Sequence, residues 1–123
     1  DWSWDGRASL DLGPWRGRLR LVPATGAGLA ARHVAAGLVV RFRAGALRLQ
    51  PVGDPHHRTL KFLCQSAGVV PWMRPHLPLL VATAGPLAGR VLAIADRWLA
   101  AEAAALPGEA ALAVAWDGHP PLD

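Results

Sequence analysis

The sequence TLKFLCQSAG, residues 59–68, predicts the clearest helix of this chain and decides much of its fold. Four apolar residues recur at the i, i+3, i+4 and i+7 spacing that lines one face of a helix, namely Leu60, Leu63, Cys64 and Ala67. Thr59 is a suitable N-cap because its side-chain oxygen can accept a hydrogen bond from the first turn. Gly68 stands where helices often end in a left-handed glycine. We therefore expect one amphipathic helix with a polar face of Arg58, Lys61 and Gln65.

Short strands are predicted on the N-terminal side of this helix. Residues alternate between polar and apolar over 2–4, 17–22 and 38–43, which is the period of a half-buried strand. In the second of these, Leu19 and Leu21 should face inward, Arg18 and Arg20 outward, and Pro23 should end the strand. Residues 47–49 are a candidate return strand for 38–43.

On the C-terminal side, Pro71 can begin a second, short helix that Pro75 should end, because proline is tolerated only in the first turn. Apolar runs at residues 79–81, 90–95 and 112–116 indicate further strands, residues 100–105 are a candidate helix, and residues 119–123 should be frayed. The predicted fold class is α+β: short antiparallel strands in a small β-rich module, with one amphipathic helix and a short second helix.

Length and composition narrow the classes of protein. A chain of 123 residues, 52% of them hydrophobic, is long enough for one domain with a core. The single cysteine, Cys64, cannot form an internal disulfide, which favours a reducing cytoplasm over a secreted disulfide scaffold. The apolar stretch at residues 77–89 is broken by proline and glycine and is too short for a membrane span, so no membrane partner is expected. Because the chain starts at Asp1 and Met73 is its only methionine, we expect a piece of a longer protein.

Positive charge is concentrated in the middle of the chain. Residues 41–80 carry five arginines and one lysine against one aspartate, a net of +5, whereas residues 81–123 carry two arginines against five acidic residues, a net of −3. This asymmetry is typical of proteins that bind a phosphate backbone, although a solvated basic face would look the same. The candidate contacts to such a backbone are Arg41, Arg43, Arg48, His57, Arg58, Lys61 and Arg74.

Other chemistries have weaker support. The G-x-G-x-x-A pattern at residues 26–31 follows a strand with alternating arginines rather than a buried apolar one, so we interpret it as a turn, not a dinucleotide site. The five histidines show no metal-ligand spacing, and Cys64 lies on the apolar helix face, where a thiol is a poor nucleophile. We therefore predict no catalytic residues, no metal and no cofactor in this chain.

A set of linked motifs resembles the C-terminal domain of bacterial tRNA(Ile)-lysidine synthases. The matching motifs are VRFR at 40–43, Gly45, Arg48, Pro51 and Gly53, then RTLKFLCQSAGVVPW at 58–72 and PLL at 78–80. Phe62, Ser66, Val70 and Pro86 depart from the usual pattern. The likeness divides the chain into N-terminal strands at 1–37, the recognised module at 38–99, and an acidic tail with a possible last strand at 100–123.

The resemblance implies a non-catalytic domain that holds the acceptor stem of a tRNA. The parent enzymes are ATP-dependent ligases that attach lysine to the wobble cytidine of isoleucine tRNA with a CAU anticodon. Their ATP and Mg²⁺ bind a catalytic domain whose S-G-G-x-D-S loop is absent from this sequence. Expected partners are that tRNA and the catalytic N-terminal domain of the same protein. The fold should be similar to a β-rich module of the phenylalanyl-tRNA synthetase β subunit.

Two alternatives remain at this point. The first is a structural or interaction domain that packs on the catalytic part of its protein and touches RNA little. The second is a small stand-alone enzyme that uses Cys64 or the histidines. A fast-reacting Cys64 would favour the enzyme, and tRNA binding that survives charge reversal at Lys61 would favour the interaction domain.

Overall fold

The computed structural model describes residues 2–42 and 47–123. Within them, the strands form three antiparallel sheets, joined by short helices, so the α+β class is confirmed. The β-strands, numbered β1 to β11, are Trp2–Trp4, Leu10–Asp11, Arg18–Thr25, Leu29–Ala30, Leu38–Arg41, Arg48–Leu49, Arg58–Thr59, Leu79–Ala82, Val91–Ile94, Trp98–Leu99 and Ala110–Asp117. The α-helices are α1, Ala31–Ala35, and α2, Leu60–Ala67; Pro71–His76 and Ala101–Ala103 are 3₁₀ helices.

The central sheet has five strands in the order β1-β5-β8-β9-β10. Its inner strands are short apolar runs, as expected for strands that are covered on both faces. Leu38, Val39 and Val40 of β5 are all buried, and so is every residue of β8. Only at Arg41 does β5 reach solvent, which places a basic side chain at the end of a buried strand.

The second sheet has four strands in the order β2-β3-β11-β4 and is built on the long pairing of β3 with β11. Leu19 and Leu21 face the core side, as predicted. The expectation that Pro23 ends β3 is wrong, because the strand continues to Thr25 and Pro23 pairs with Leu112. Strand β2 pairs only with Leu19 and Arg18, so β3 has an open edge at Pro23, where a residue without an N–H is tolerated.

Helix α2 forms as the sequence predicts. The Thr59 hydroxyl accepts a hydrogen bond from Phe62 N at 3.1 Å, and Gly68 ends the helix with a φ of 69°. Val69 N then donates to Cys64 O at 2.9 Å, which closes the last turn. Leu63 and Cys64 are buried, so the apolar face of α2 packs on the core.

Three local expectations around this helix need correction. Helix α1 was not expected, since its five residues are too few to show a helical period. Residues 48–49 pair with Arg58–Thr59 in a small third sheet instead of returning along β5. The second helix is a 3₁₀ helix that includes Pro75 and extends to His76, and Leu77 N donates to Arg74 O at 3.4 Å at its end.

The C-terminal end is packed rather than frayed. Leu122 is only 2% exposed, and its carbonyl accepts a hydrogen bond from Val70 N at 2.6 Å. The end of the chain therefore covers the loop between α2 and the 3₁₀ helix at Pro71–His76. The candidate helix at residues 100–105 is reduced to the single turn Ala101–Ala103.

Sheet pairing connects all three regions of the sequence. Strand β1 pairs with β5, and β11 pairs with β3 over eight residues. The division at residues 37 and 99 stays a prediction. Among the described residues, no helix is long and apolar enough to cross a membrane.

Candidate nucleic-acid interface

An open cleft of about 610 Å³ collects basic side chains from distant parts of the sequence. Four of its lining residues, Arg41, Arg48, His57 and Arg90, define what we call the basic cleft. Apolar residues of β8 and β9 form its floor, including Leu79. Three of the four basic residues are sequence-predicted candidates, so the fold brings Arg41, Arg48 and His57 together.

Strand alternation and one anchored loop position these side chains. In β6, Leu49 is buried and its neighbour Arg48 is exposed, because adjacent residues of a strand face opposite ways. The loop after β6 is tied to the end of the central sheet, where Val52 N donates to Leu99 O at 3.0 Å and Ala101 N donates to Gln50 O at 2.8 Å. The third sheet thus forms one wall of the basic cleft.

The electrostatics of the basic cleft favour an anion. Three arginines face one acidic residue, Glu102, among its lining residues. Arg90 Nη1 lies 2.7 Å from Glu102 Oε2, but both side chains are largely in solvent, so this ion pair contributes little stability and can be exchanged for a phosphate contact. Arg48 forms no ion pair within residues 2–42 and 47–123. The arrangement is suited to binding phosphates.

Arg58 has a different role in the structure. Its Nε donates to Asp54 Oδ2 at 2.8 Å, and its guanidinium lies 4.7 Å from the centre of the Phe62 ring. The hydrogen bond from Arg58, together with one from His56 N, holds the pKa of the Asp54 carboxyl below its ordinary value. The charge of Arg58 is thus already balanced by a carboxylate, and the pair braces the turn that leads into α2.

Among the described sequence candidates, Arg74 and Lys61 do not line the basic cleft. Arg74 is half-buried, and its Nε donates to Val69 O at 3.1 Å, so it holds the loop after α2. Lys61 is exposed on α2 and makes no ion pair in the part of the chain that the structure describes. Arg43 lies outside the described residues. An RNA-binding role for all seven residues stays a prediction.

Sequence reasoning missed two basic residues. Arg90 belongs to the acidic last third of the chain, so averaging charge over that region concealed it, and only sheet pairing carries it to the basic cleft. Arg16 lies with its guanidinium 3.9 Å from the centre of the Phe42 ring, and its Nε is 3.3 Å from His76 Nδ1. No local pattern indicates either contact, because the partners of Arg16 are at least 26 residues away in the sequence.

The environment of Cys64 is unfavourable for a nucleophile. Cys64 is fully buried, and burial raises the pKa of its thiol against a smaller opposing effect of Arg74. A thiol with a raised pKa stays protonated near neutral pH and is a poor nucleophile. Among the described residues, no group of three or more histidine, cysteine or acidic side chains is placed to hold a metal ion.

Comparison with known proteins finds a matching family model and relatives that cover most of this chain. Residues 38–116 match the family model described as the TilS substrate C-terminal domain. A tRNA(Ile)-lysidine synthase of Xanthomonas axonopodis pv. citri (strain 306) is 40% identical over 111 residues, which cover 86% of this chain and 24% of the relative. A tRNA(Ile)-lysidine synthase of Azoarcus sp. (strain BH72) is 37% identical over 114 residues, with coverages of 92% and 23%. This chain spans about a quarter of the length of these relatives.

Proposed function

This chain belongs to the family of TilS substrate C-terminal domains, and from that membership we propose that it binds tRNA as the non-catalytic domain of a tRNA(Ile)-lysidine synthase. The observation that carries the proposal is the basic cleft, in which Arg41, Arg48, His57 and Arg90 meet. The family description names a substrate domain, and the relatives' names point to isoleucine tRNA as that substrate.

The chemistry of the basic cleft fits double-stranded RNA. Proteins recognise an RNA duplex mostly through its phosphates, its 2′-hydroxyls and its shape, because side chains cannot read the deep major groove. Arginines make bidentate contacts with phosphate, and they hold their charge at every physiological pH. We propose that Arg41, Arg48 and Arg90 contact phosphates of the acceptor stem, that His57 contributes to the same cleft, and that the exposed Lys61 makes a further RNA contact.

The proposal extends to the whole protein. The parent would attach lysine to the wobble cytidine of the CAU-anticodon tRNA in a separate catalytic domain that binds ATP and Mg²⁺. This chain would hold the acceptor stem while the anticodon reaches that domain, and its partners would be the tRNA and the catalytic domain. A cytoplasmic location belongs to the same proposal because tRNA is the partner. The likeness of this fold to a β-rich module of the phenylalanyl-tRNA synthetase β subunit is also part of the proposal.

Charge reversal at Arg48 tests the proposal. Arg48→Glu changes an exposed side chain of the basic cleft, so the fold should remain while the affinity for tRNA falls. Arg7→Glu is the matched control, because Arg7 is also exposed, lies outside the basic cleft and undergoes the same change of charge. We expect Arg48→Glu to weaken tRNA binding by about tenfold, equivalent to 1.4 kcal/mol, and Arg7→Glu to have little effect. Fluorescence anisotropy with labelled tRNA measures both.

The salt dependence of tRNA binding provides a second measurement on the same variants. Each phosphate contact contributes roughly 0.7 to 0.9 to the slope of log affinity against log salt concentration. Arg48→Glu should lower the slope by about one such contact, whereas Arg7→Glu should leave it unchanged. Equal effects of the two variants would mean that only net charge matters. Unchanged binding in Arg48→Glu would favour the interaction domain that packs on the catalytic part.

A further inference from the structure

Trp15 occupies an unusual position for a large side chain. It is the third residue of a turn closed by a hydrogen bond of 3.2 Å from Arg16 N to Gly13 O, and its φ is 69°. Turns with a positive φ at this position normally have glycine or asparagine there. The indole is nevertheless 56% exposed, so core packing does not explain why tryptophan stands in a strained backbone position.

The neighbouring side chains hold the Trp15 indole in place. Its ring is stacked on His76, with an interplanar angle of 25° and 6.4 Å between ring centres. Arg16 Nε is 3.3 Å from His76 Nδ1, and the Arg16 guanidinium lies over the Phe42 ring. The Arg16 carbonyl also accepts a hydrogen bond from Trp116 Nε1, which fixes the turn to β11. Trp15 is therefore an exposed but supported aromatic surface.

Trp15 also lines an open cleft of about 430 Å³, distinct from the basic cleft. Its charged lining is balanced, with Arg18 and Arg20 against Asp11 and Asp117. Arg20 Nη2 lies 3.0 Å from Asp117 Oδ2, and Asp11 Oδ1 accepts a hydrogen bond from Gly13 N at 2.9 Å. Because the two arginines and two carboxylates cancel, the lining has no net attraction for a phosphate, so this cleft is suited to a neutral, flat group that can hydrogen-bond to carboxylates.

We propose that Trp15 stacks an unpaired base of the bound RNA within this cleft. A nucleobase presents a π-face to the indole, and its amino group can donate to a carboxylate. Arg16 packs on Phe42, the residue next to Arg41 of the basic cleft, so one RNA molecule can reach both clefts. The inference rests on the proposed RNA-binding function and adds to it a contact with a single-stranded part of the substrate.

Three RNA hairpins with the same duplex test the inference. One is blunt, one carries a four-nucleotide 3′ extension with its bases, and one carries the same extension with abasic nucleotides. The two extended hairpins have equal phosphate charge, so the ratio of their affinities isolates the contribution of the bases. We expect the wild-type chain to prefer the base-bearing hairpin by about tenfold, within the range for stacking of one base on an aromatic side chain.

Variants at Trp15 should change that ratio alone. Trp15→Gly removes the indole and suits the positive φ, so we expect a folded protein with a ratio near one and unchanged affinity for the blunt hairpin. Trp15→Phe keeps an aromatic face and should retain most of the preference. Trp72→Ala, at an exposed tryptophan outside this cleft, should retain all of it.

The outcomes separate this inference from the proposed function. Arg48→Glu should weaken binding of all three hairpins and leave the ratio unchanged. A wild-type ratio near one, or a ratio that survives Trp15→Gly, would overturn the stacking role while the basic cleft still binds duplex RNA. No binding of any hairpin would overturn the proposed function and the stacking role with it. Thermal unfolding of each variant checks that it is folded.

Discussion

His33 is the residue whose burial most directly links stability to pH. It is 6% exposed, and its Nε2 has no hydrogen-bond partner among the described residues. Burial, assisted by the neighbouring Arg32 charge, lowers the pKa of His33 from its ordinary value of 6.5, against smaller opposing effects of Glu109 and Glu102. At pH values between this lowered pKa and 6.5, His33 is therefore neutral in the folded protein, whereas it would be protonated in the unfolded chain.

We predict that the free energy of unfolding decreases as the pH falls through 6.5, the ordinary pKa of His33. Between that value and the lowered pKa of the folded state, the unfolded chain binds more protons, so acidification favours unfolding. Urea unfolding at a series of pH values measures the slope. His33→Gln should flatten this slope, and His57→Gln, at an exposed histidine, should not. An unchanged slope in His33→Gln would contradict the assignment.

Residue types and spacing predicted which arginines are exposed. They did not predict which arginines form contacts within the folded chain. Strand alternation placed Arg18 and Arg20 at the surface, and the structure agrees. The clustering of charge made Arg58 and Arg74 candidate RNA contacts, which stays a prediction, but it did not indicate that Arg58 binds Asp54 and Arg74 binds the Val69 carbonyl. Such partners depend on loop geometry, which a one-dimensional pattern does not contain. Arg90 was missed because sheet pairing, which no local pattern contains, carries it to the basic cleft.

At the scale of elements, α2 supports one wall of the basic cleft through its capped start. Thr59 caps the helix and also pairs with Arg48 in the third sheet. Loss of an N-cap hydroxyl typically costs about 1 kcal/mol of stability. We predict that Thr59→Ala lowers the free energy of unfolding by about this amount, as measured by urea denaturation.

Ser66→Ala is the control for this prediction, because Ser66 is exposed on the same helix and does not cap it. It should leave stability within about 0.5 kcal/mol of wild type. Equal losses for Thr59→Ala and Ser66→Ala would mean that the effect does not come from the cap, because alanine at Ser66 should, by helix propensity alone, favour the helix.

The elements that the sequence predicted well are those with a strong local period. Helix α2 has both its cap residues and its apolar spacing within ten residues, and the apolar runs of β8 and β9 are continuous. The failures occurred where a distant partner overrides the local rule. Pro23 continues a strand because β2 leaves its edge open, and residues 48–49 pair across the loop that Asp54 and Arg58 brace.

At the scale of the whole molecule, the last residues close the core. Leu122 is 2% exposed and packs in the core, although it stands one residue from the C-terminus of this chain. Replacing a buried leucine with alanine costs about 2–5 kcal/mol. We predict that Leu122→Ala lowers the free energy of unfolding within this range, whereas Leu106→Ala, at a 63% exposed leucine, has little effect. Equal stability of the two variants would mean that the tail does not pack in solution.

The two proposed RNA-binding clefts are features of the whole molecule, because each combines residues from distant parts of the sequence. Sheet pairing carries Arg90 from the acidic third of the chain to Arg41 and Arg48, so the basic cleft exists only in the folded molecule. The cleft at Trp15 combines the turn before β3 with the end of β11. In our proposals, the basic cleft holds phosphates of an RNA duplex and the cleft at Trp15 holds an unpaired base.

The most direct test of the central claim compares two hairpins taken from the same tRNA. One contains the acceptor stem and the other the anticodon stem and loop, with equal numbers of nucleotides and therefore equal charge. Anisotropy titrations of the 123-residue chain at one salt concentration give both affinities. We predict that the acceptor-stem hairpin binds about tenfold more tightly, a difference of 1.4 kcal/mol, and that Arg48→Glu weakens its binding whereas Arg7→Glu does not. Equal affinities, or tighter binding of the anticodon hairpin, would contradict the claim that this domain holds the acceptor stem.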